Sequence, residues 1–313
     1  MSHLGIDVGG TKSLGVVVDG DARVVRMALR GTPRGADAVI DTIVALVDEL
    51  GPVETVGVGV AGLVSGDGVL RAAPNLPGVR ELPVAERLAA RLDIGVVVEN
   101  DATCATVAEW RLGAGVGARE MLMVALGTGI GGGVVSGGEV RRGHNGFAGE
   151  FGHMVVDPHG PPCVCGRRGC WERFASGAGL AHLAREAALR GRASRVVDLA
   201  GGDPELVRGE HVQAAAREGD DDALAVIDEF GRWVALGLAN LTNAFDPGLI
   251  VIGGGLVEAV DLYAAPVERW FGELLYSSEL RPHPRLTTAR LGGRAGAVGA
   301  ALLGATPGAR SAP

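Results

Sequence analysis

Short apolar blocks along the chain end at glycine-rich turns, and this pattern predicts strands joined by tight loops. Near the start, Leu4 to Val8 predicts a strand, Gly9-Gly10-Thr11-Lys12 a turn, and Leu14 to Val18 a second strand. The same order returns after the first third of the chain. This later copy comprises the strand Met121 to Leu126, the turn Gly127-Thr128-Gly129 and the small-residue strand Gly131 to Ser136. The repetition indicates an internal duplication.

Both turns are suited to binding phosphate, because glycines let a ligand approach the backbone and successive N–H groups cradle phosphate oxygens. A third glycine loop, Gly253-Gly254-Gly255, follows an apolar strand over residues 249–252 and precedes a helical run from Leu256. Taken alone, this loop fits close helix–strand packing as well as it fits a nucleotide-binding corner. Beside two phosphate turns, we interpret it as the site for the adenosine end of a nucleotide.

Two common nucleotide-binding motifs are excluded. Gly127, Gly129 and Gly132 satisfy G-x-G-x-x-G, but a dinucleotide fingerprint requires a helix to begin there. The residues that follow, 134–138, instead predict a strand and a tight turn. The sequence contains no G-x-x-x-x-G-K-[ST] motif, so the chain is not a P-loop NTPase.

Two aspartates stand where predicted strands end. Ile94 to Glu99 predicts a buried strand and Ala102 to Leu112 a helix, with Asn100-Asp101 at their junction. One interpretation is a helix N-cap, which Asn and Asp favour. A compatible one is a general base, because a helix N-terminus stabilises a carboxylate and a loose phosphoryl-transfer transition state needs little base strength. Asp7 would either orient Mg²⁺ beside the phosphate turns or hydrogen-bond the turn that follows it.

The segment from Glu150 to Glu172 combines metal ligands with carboxylates. It contains His153, Cys163, Cys165 and Cys170, and three sulfurs with one imidazole are a complete ligand set for a structural zinc. A disulfide is the alternative, but the N-terminal residues show no basic stretch or apolar signal core, and Cys163 and Cys165 are too close for easy pairing. Cys104 is predicted to be a small buried hydrophobe.

Composition narrows the class of protein further. Asp+Glu 37 against Lys+Arg 29 gives a net charge of -8, which argues against a nucleic-acid or acidic-membrane surface. The mean hydropathy of +0.25 reflects the many alanine and valine residues and not a membrane span. The longest apolar stretch, residues 121–135, is interrupted by glycines and fails as a transmembrane helix. We therefore expect a soluble, cytoplasmic protein; its only lysine, Lys12, lies in the first turn.

These motifs together resemble the ROK family of sugar kinases, and most closely its zinc-containing, ATP-dependent glucokinases. The resemblance spans nearly the whole chain and is most specific where G-E-x-G-H precedes C-x-C-G-x-x-G-C-x-E. It implies an α/β, actin-like ATPase (ribonuclease H-like) fold of two domains around a cleft, with ATP and sugar between them. The expected small domain comprises residues 1–112 plus a returning helix at about 295–304. The expected large domain comprises residues 113–294 and carries the zinc loop at 153–170.

The resemblance also implies roles for individual residues. Asp101 would take the proton from the sugar 6-hydroxyl, and zinc on one ring nitrogen of His153 would leave the other as a donor to the sugar. The remaining sugar contacts implied are Gly62, Asn75, Asn100, Glu150 and Glu172. The ligands of MgATP predicted above from the glycine loops and the end of the first strand are Asp7, residues 9–12, residues 127–129 and residues 253–255. Val79 and Thr103 depart from the common family residues, Trp and Asn. The change at Val79 predicts looser contacts beside Asn75, and the change at Thr103 matters less.

Several alternatives stay open at this stage. Polyphosphate is a second possible phosphate donor, although relatives that use it typically lack the zinc cysteines. N-acetylglucosamine, N-acetylmannosamine and fructose are alternative acceptors to glucose. A non-catalytic sugar sensor or transcription regulator is the rival from another class, and it lacks support because the chain has no basic DNA-binding surface or preceding DNA-binding module. We expect a homo-oligomer, either a dimer or a tetramer, and core or subunit packing for the helix at 222–245.

Overall fold

The computed structural model describes residues 1–74, 76 and 78–306 of the chain. Runs of one to four strands and runs of helices follow one another through this part of the chain. The strands are β1 (His3–Val8), β2 (Lys12–Val18), β3 (Val24–Gly31), β4 (Thr55–Val60), β5 (Leu63–Val64), β6 (Val69–Ala72), β7 (Arg80–Pro83), β8 (Gly95–Asn100), β9 (Met121–Leu126), β10 (Ile130–Ser136), β11 (Glu139–Arg141), β12 (Leu249–Gly253) and β13 (Arg285–Thr288). The helices are α1 (Ala36–Leu50), α2 (Val84–Ala89), α3 (Asp101–Leu112), α4 (Glu172–Ala175), α5 (Gly177–Leu189), α6 (Ser194–Leu199), α7 (Gly209–Arg217), α8 (Asp221–Phe245), α9 (Val260–Leu274) and α10 (Ala295–Gly304).

The first sheet has the strand order β3-β2-β1-β4-β8. Strand β1 is antiparallel to β2 and parallel to β4, and β4 is parallel to β8. The register pairs Val8 with Val60 and Val60 with Asn100, so β1, β4 and β8 end at the same edge. This edge therefore collects Asp7, Gly62 and the Asn100-Asp101 junction, although they are far apart in sequence.

The second sheet has the order β11-β10-β9-β12-β13, and β5, β6 and β7 form a small third sheet. Strand β9 has the predicted bounds, and β10 begins one residue before the predicted start. The predicted strand–turn–strand repeat is thus present in both large sheets. A strand after Gly127-Thr128-Gly129 also confirms that these residues are not a dinucleotide fingerprint.

The chain divides into two compact units. Unit 1 comprises residues 1–123, 132–149 and 289 onwards, and unit 2 comprises residues 124–131 and 150–288. Helix α10 belongs to unit 1, where it packs against α3 and β1. The sequence-based domain boundary at residue 112 stays a prediction.

Helix α10 reaches the first sheet through backbone-to-backbone contacts. A Cβ atom at Gly5 would overlap the carbonyl oxygen of Ala297, and one at Gly57 would overlap that of Ala300. On its other side, a Cβ atom at Gly299 would overlap the carbonyl oxygen of Cys104. Glycine at these three positions is required because the backbones approach too closely for any side chain. Cys104 itself is fully buried, which confirms the prediction that it is a core residue.

The core of unit 2 forms around the long helix α8, which packs against α9 and α5. Trp171 is fully buried there, and its indole N–H donates to the carbonyl oxygen of Trp233 at 2.7 Å. A Cβ atom at Gly237 would overlap the Trp171 ring, so this glycine makes room for the indole on α8. Of the two roles predicted for the helix at 222–245, core or subunit packing, core packing is confirmed and subunit packing stays a prediction. Among the residues that the structure describes, no helix has both the length and the apolar character needed to cross a membrane.

Candidate functional site

The Asn100-Asp101 junction caps α3 and presents a carboxylate at its first residue. The Asn100 side-chain oxygen accepts from the Thr103 N–H at 2.9 Å, so Asn100 is the N-cap. Its amide group donates to the Gly62 carbonyl oxygen at 3.0 Å and to Asp101 Oδ1 at 3.2 Å. The cap role therefore falls on Asn100, which also ties Asp101 to the Gly62 backbone.

Asp101 is held in a defined orientation and in surroundings that favour its protonated form. Its Oδ1 accepts from the Ala102 N–H at 2.9 Å. Burial raises the pKa of Asp101, and hydrogen bonds from the N–H groups of Ala102 and Asp101 itself partly offset this effect. A carboxylate with a raised pKa is a stronger base than an exposed one, as proton abstraction from a hydroxyl requires.

Asp7 lies at the end of β1 in the same unit. Burial raises the pKa of Asp7 from 3.8 to about 7, with a further contribution from the negative charge of Asp101. A Cβ atom built at Gly296 would lie 2.6 Å from Asp7 Oδ2, so the start of α10 packs directly against this carboxylate. Two acidic groups therefore share one edge of the sheet at an electrostatic cost.

The first glycine turn is open to solvent beside Asp7. The Gly9 N–H donates to the Lys12 carbonyl oxygen at 3.0 Å and closes the turn, while Gly10, Thr11 and Lys12 are exposed. The Thr11 carbonyl oxygen accepts from the Thr32 N–H at 3.0 Å, which fixes the turn to the end of β3. Asn75, the other predicted contact on this side, lies outside the described residues.

In protein without bound Mg²⁺, Asp7→Asn is expected to raise the free energy of unfolding above neutral pH. An acid whose pKa is raised on folding lowers stability as the pH rises from its unfolded pKa, 3.8, to its folded pKa, about 7. The full shift corresponds to about 4 kcal/mol at 1.36 kcal/mol per pKa unit. Because the side chain keeps some solvent contact, we expect about 1–3 kcal/mol at pH 8 and almost none at pH 4.

Thermal unfolding at pH 4, 6 and 8 measures this effect. Asp48→Asn neutralises an exposed carboxylate on α1 and is the matched control. An Asp7→Asn variant with no pH-dependent gain over that control would contradict the raised pKa.

In unit 2, four side chains bring their ligand atoms together. The relevant nitrogen or sulfur atoms of His153, Cys163, Cys165 and Cys170 all lie within 4.8 Å of one another. Cys163 Sγ lies 3.7 Å from His153 Nδ1, and Cys165 Sγ lies 3.5 Å from Cys170 Sγ. These separations are far longer than a disulfide bond of about 2 Å.

The donor set and its spacing fit a tetrahedral zinc ion. Zn–S bonds of about 2.3 Å place two sulfurs about 3.8 Å apart, close to the separations in this cluster. With four protein ligands, such an ion would have a structural role and no open position for a substrate. The sequence prediction of a zinc site is thus matched by the geometry of all four residues.

The backbone of the loop explains how these ligands converge. The Cys163 N–H donates to the Arg167 carbonyl oxygen at 2.8 Å, and the Gly166 N–H returns to the Cys163 carbonyl oxygen at 3.0 Å. Gly166 has a φ of +86°, a conformation that glycine adopts without strain. A tight knuckle therefore carries Cys163 and Cys165, and a bridge between Val155 and Cys170 brings in the last sulfur.

Glu172 links the metal cluster to the second glycine turn. Its Oε1 accepts from the Cys163 thiol at 3.0 Å and lies 3.7 Å from His153 Nδ1. A Cβ atom at Gly129 would lie 2.6 Å from Glu172 Oε2, so the turn and this carboxylate are in contact. Glu150 is exposed and precedes the 3₁₀ turn Phe151–His153, where its carbonyl oxygen accepts from the His153 N–H at 3.1 Å. His153, Glu172 and the 127–129 turn are therefore neighbours in unit 2.

The second and third glycine loops also lie together. A Cβ atom at Gly254 would overlap the carbonyl oxygen of Leu126, the residue immediately before the turn of Gly127, Thr128 and Gly129. Gly254 has a φ of +84°, and Gly253 ends β12 in a buried position. The structure thus brings residues 127–129 and 253–255 to one place in unit 2.

Sequence reasoning missed one candidate binding element, the start of α5. The Gly177 N–H donates to the Gly127 carbonyl oxygen at 2.8 Å, and the Ser176 side chain caps the helix by accepting from the Gly179 N–H at 3.2 Å. A helix N-terminus beside a glycine turn is suited to binding an anion. The sequence feature that could have indicated this element is the pair Ser176-Gly177, which begins four residues after Glu172.

Comparison with known proteins agrees with this arrangement. A glucokinase from Streptomyces coelicolor is 38% identical over 310 residues, which cover 97% of this chain and 98% of that protein. An N-acetylmannosamine kinase from Escherichia coli is 34% identical, with 97% and 98% covered. The solved ROK family glucokinase from Streptomyces griseus, in complex with glucose and AMPPNP, is 39% identical and has a TM-score of 0.86 over 97% of this chain and 99% of that one.

These similarities show that the protein is an α/β protein of the actin-like, ribonuclease-H-type fold. The ROK family model matches residues 3–306, and the chain belongs to the ROK family. The predictions of the fold class and of the family are both confirmed.

Proposed function

We propose that this protein transfers the γ-phosphoryl group of ATP to the 6-hydroxyl of glucose, giving glucose 6-phosphate and ADP. The observation that carries the proposal is the neighbourhood of Glu172, which contacts both the four-residue metal cluster and the Gly127-Thr128-Gly129 turn. The carboxylate that we propose binds sugar is thus adjacent to the turn that we propose binds phosphate. The prediction of a hexose kinase is confirmed by glucokinase relatives, and glucose as the acceptor is the part that we propose.

Asp101 would act as the general base. Its carboxylate begins α3, and Asn100 and the Ala102 N–H fix its orientation. Proton loss from the sugar hydroxyl can come late in a loose phosphoryl-transfer transition state, so a carboxylate is a sufficient base. Gly62 and Asn100 are the proposed sugar contacts on the same sheet edge, and Asn75 is a proposed contact outside the described residues.

In unit 2, Glu150, His153 and Glu172 would bind the other sugar hydroxyls. His153 Nδ1 faces the cysteines, so zinc at that atom would leave Nε2 carrying the proton as a donor to the sugar. Zinc would supply no chemistry of its own and would hold His153 and the 163–170 loop in place. The metal is therefore proposed to be structural but necessary for the sugar site.

The three glycine loops would bind the nucleotide. Backbone N–H groups of residues 9–12 and 127–129 would hold the phosphates, and residues 253–255 would contact the adenosine end. Lys12 would add a positive charge at the first turn. Mg²⁺ bound with ATP would offset the phosphate charge, and the Asp7 carboxylate, directly or through water, offers the oxygen ligand that Mg²⁺ prefers.

The first test is ADP release from MgATP by zinc-replete protein, with glucose, N-acetylglucosamine, N-acetylmannosamine and fructose as acceptors. A clear preference for glucose in kcat/KM supports the proposal. The N-acetylmannosamine kinases at 34% identity make that sugar the main alternative acceptor, and preference for it would overturn the choice of glucose while keeping the chemistry. Sugar binding without turnover on any acceptor would instead support a sugar sensor.

A further inference from the structure

Glu109 on α3 is a fully buried carboxylate whose described partners are backbone N–H groups. Its Oε2 accepts from the Ala114 N–H at 2.9 Å. Its Oε1 accepts from the Arg290 N–H at 2.8 Å and from the Leu291 N–H at 2.7 Å. The exposed fraction of Glu109 is 0%, so these hydrogen bonds replace water around the side chain.

These three bonds hold together parts of unit 1 that are distant in sequence. Arg290 and Leu291 stand 181 and 182 residues after Glu109, where the chain re-enters unit 1 from unit 2. Ala114 lies just past the end of α3. The carboxylate thus fastens the end of α3 to the segment that leads into α10.

The position of Leu291 is coupled to that of α10, and α10 makes close contacts with its neighbours. A 3₁₀ turn, Gly292–Arg294, connects Leu291 to the first residue of α10. Gly296, in the first turn of that helix, contacts the Asp7 carboxylate, and Gly299 contacts the backbone of α3 at Cys104. Because these contacts are between backbones or against a buried acid, a shift at Leu291 moves the surroundings of Asp7 and of α3 together.

We propose that Glu109 is a positioning residue for phosphoryl transfer. By fixing the start of α10 to α3, it maintains the relative positions of Asp7, at the end of β1, and Asp101, at the start of α3 about two helical turns from Glu109. The inference rests on the proposed roles of those two aspartates. Glu109 itself touches neither sugar nor nucleotide in this scheme.

Glu109→Gln tests the proposal with almost no change in size. The side-chain oxygen of glutamine can accept hydrogen bonds from the backbone N–H groups at one of the two carboxylate oxygen positions. Its NH₂ group then faces a backbone N–H at the other position, where two donors meet. We expect kcat at 25 °C to fall at least tenfold, with the dissociation constant for glucose changed by less than twofold. Amide hydrogen exchange at Arg290 and Leu291 is expected to become faster in the same variant.

Leu46→Ala is the control for a loss of stability alone. Leu46 is fully buried on α1, in a core cluster on the other side of the first sheet, and does not contact Glu109. We expect it to lower the melting temperature and to leave kcat at 25 °C unchanged. An equal loss of kcat in Leu46→Ala would overturn a specific positioning role for Glu109.

Two further comparisons keep the outcomes distinct. Glu109→Asp keeps the charge but shortens the side chain, and an intermediate kcat is expected; this variant replaces Glu109→Gln if the latter does not fold. Faster exchange at Arg290 and Leu291 with unchanged kcat would overturn the proposal. If Asp101→Asn keeps full turnover, the base assignment fails, and that failure is seen independently of any Glu109 variant.

Discussion

Asp101→Asn is expected to lower kcat by about a thousandfold, within the range of 10²–10⁴ that general base catalysis contributes. The amide is isosteric with the carboxylate, and its oxygen can still accept from the Ala102 N–H. It cannot take a proton from the sugar hydroxyl at neutral pH. Glucose affinity is expected to stay within about threefold of wild type, because the hydrogen-bonding side chain keeps its size.

Single-turnover phosphorylation and calorimetric glucose binding separate these two effects. Asp93→Asn is the matched control, since Asp93 is an exposed carboxylate in the same unit and is not part of the site. We expect this control to behave as wild type. Retention of most of the turnover by Asp101→Asn would show that the proton leaves by another route.

Cys165→Ser is expected to lose zinc and glucose affinity together. Zinc in this cluster requires thiolates, and serine does not replace them at neutral pH. Without the ion, the 163–170 loop no longer fixes His153, and Glu172, which contacts both Cys163 and His153, loses its support. Loss of groups that support a metal site commonly costs 10–100-fold in metal affinity or activity. We expect an effect of similar size on sugar binding, with the glucose dissociation constant rising by at least about tenfold.

Metal analysis by mass spectrometry and calorimetric titration of glucose measure both properties on one sample. Cys104→Ala removes a thiol outside the cluster and should retain one zinc per chain. Chelation of wild-type zinc followed by its return should reproduce and then reverse the loss of affinity. A metal-free Cys165→Ser protein with normal glucose binding would separate the metal from the sugar site.

The parts of the fold and site that depend on local sequence were predictable. Strand β9 and helix α3 have bounds within one residue of the predictions, because each is delimited by a cap or a glycine turn. The helix at about 295–304, which the family resemblance implied, also has the expected bounds. The four zinc ligands were predictable because three cysteines and one histidine, a complete zinc ligand set, lie within a segment of 18 residues. The N-cap and catalytic interpretations of Asn100-Asp101 are compatible, as expected, because Asn100 takes the cap.

The contacts that depend on long-range packing were not predictable. Nothing near Glu109 in sequence indicates that its carboxylate meets N–H groups of residues 290 and 291. The pairing of Glu172 with both Cys163 and the Gly129 turn likewise follows from how the loops fold over one another. Periodicity places a residue on an element, but the partner of a buried polar group is decided by topology.

The placement of α10 has a consequence for how the protein is made on the ribosome. Strands β1 and β4 are synthesised well over 200 residues before the helix at 295–304 that covers Gly5 and Gly57. Until α10 has emerged from the exit tunnel, the β1 and β4 backbone at these glycines lacks its native cover. Unit 2, whose residues all lie between β4 and α10 in the chain, can therefore fold before α10 completes unit 1.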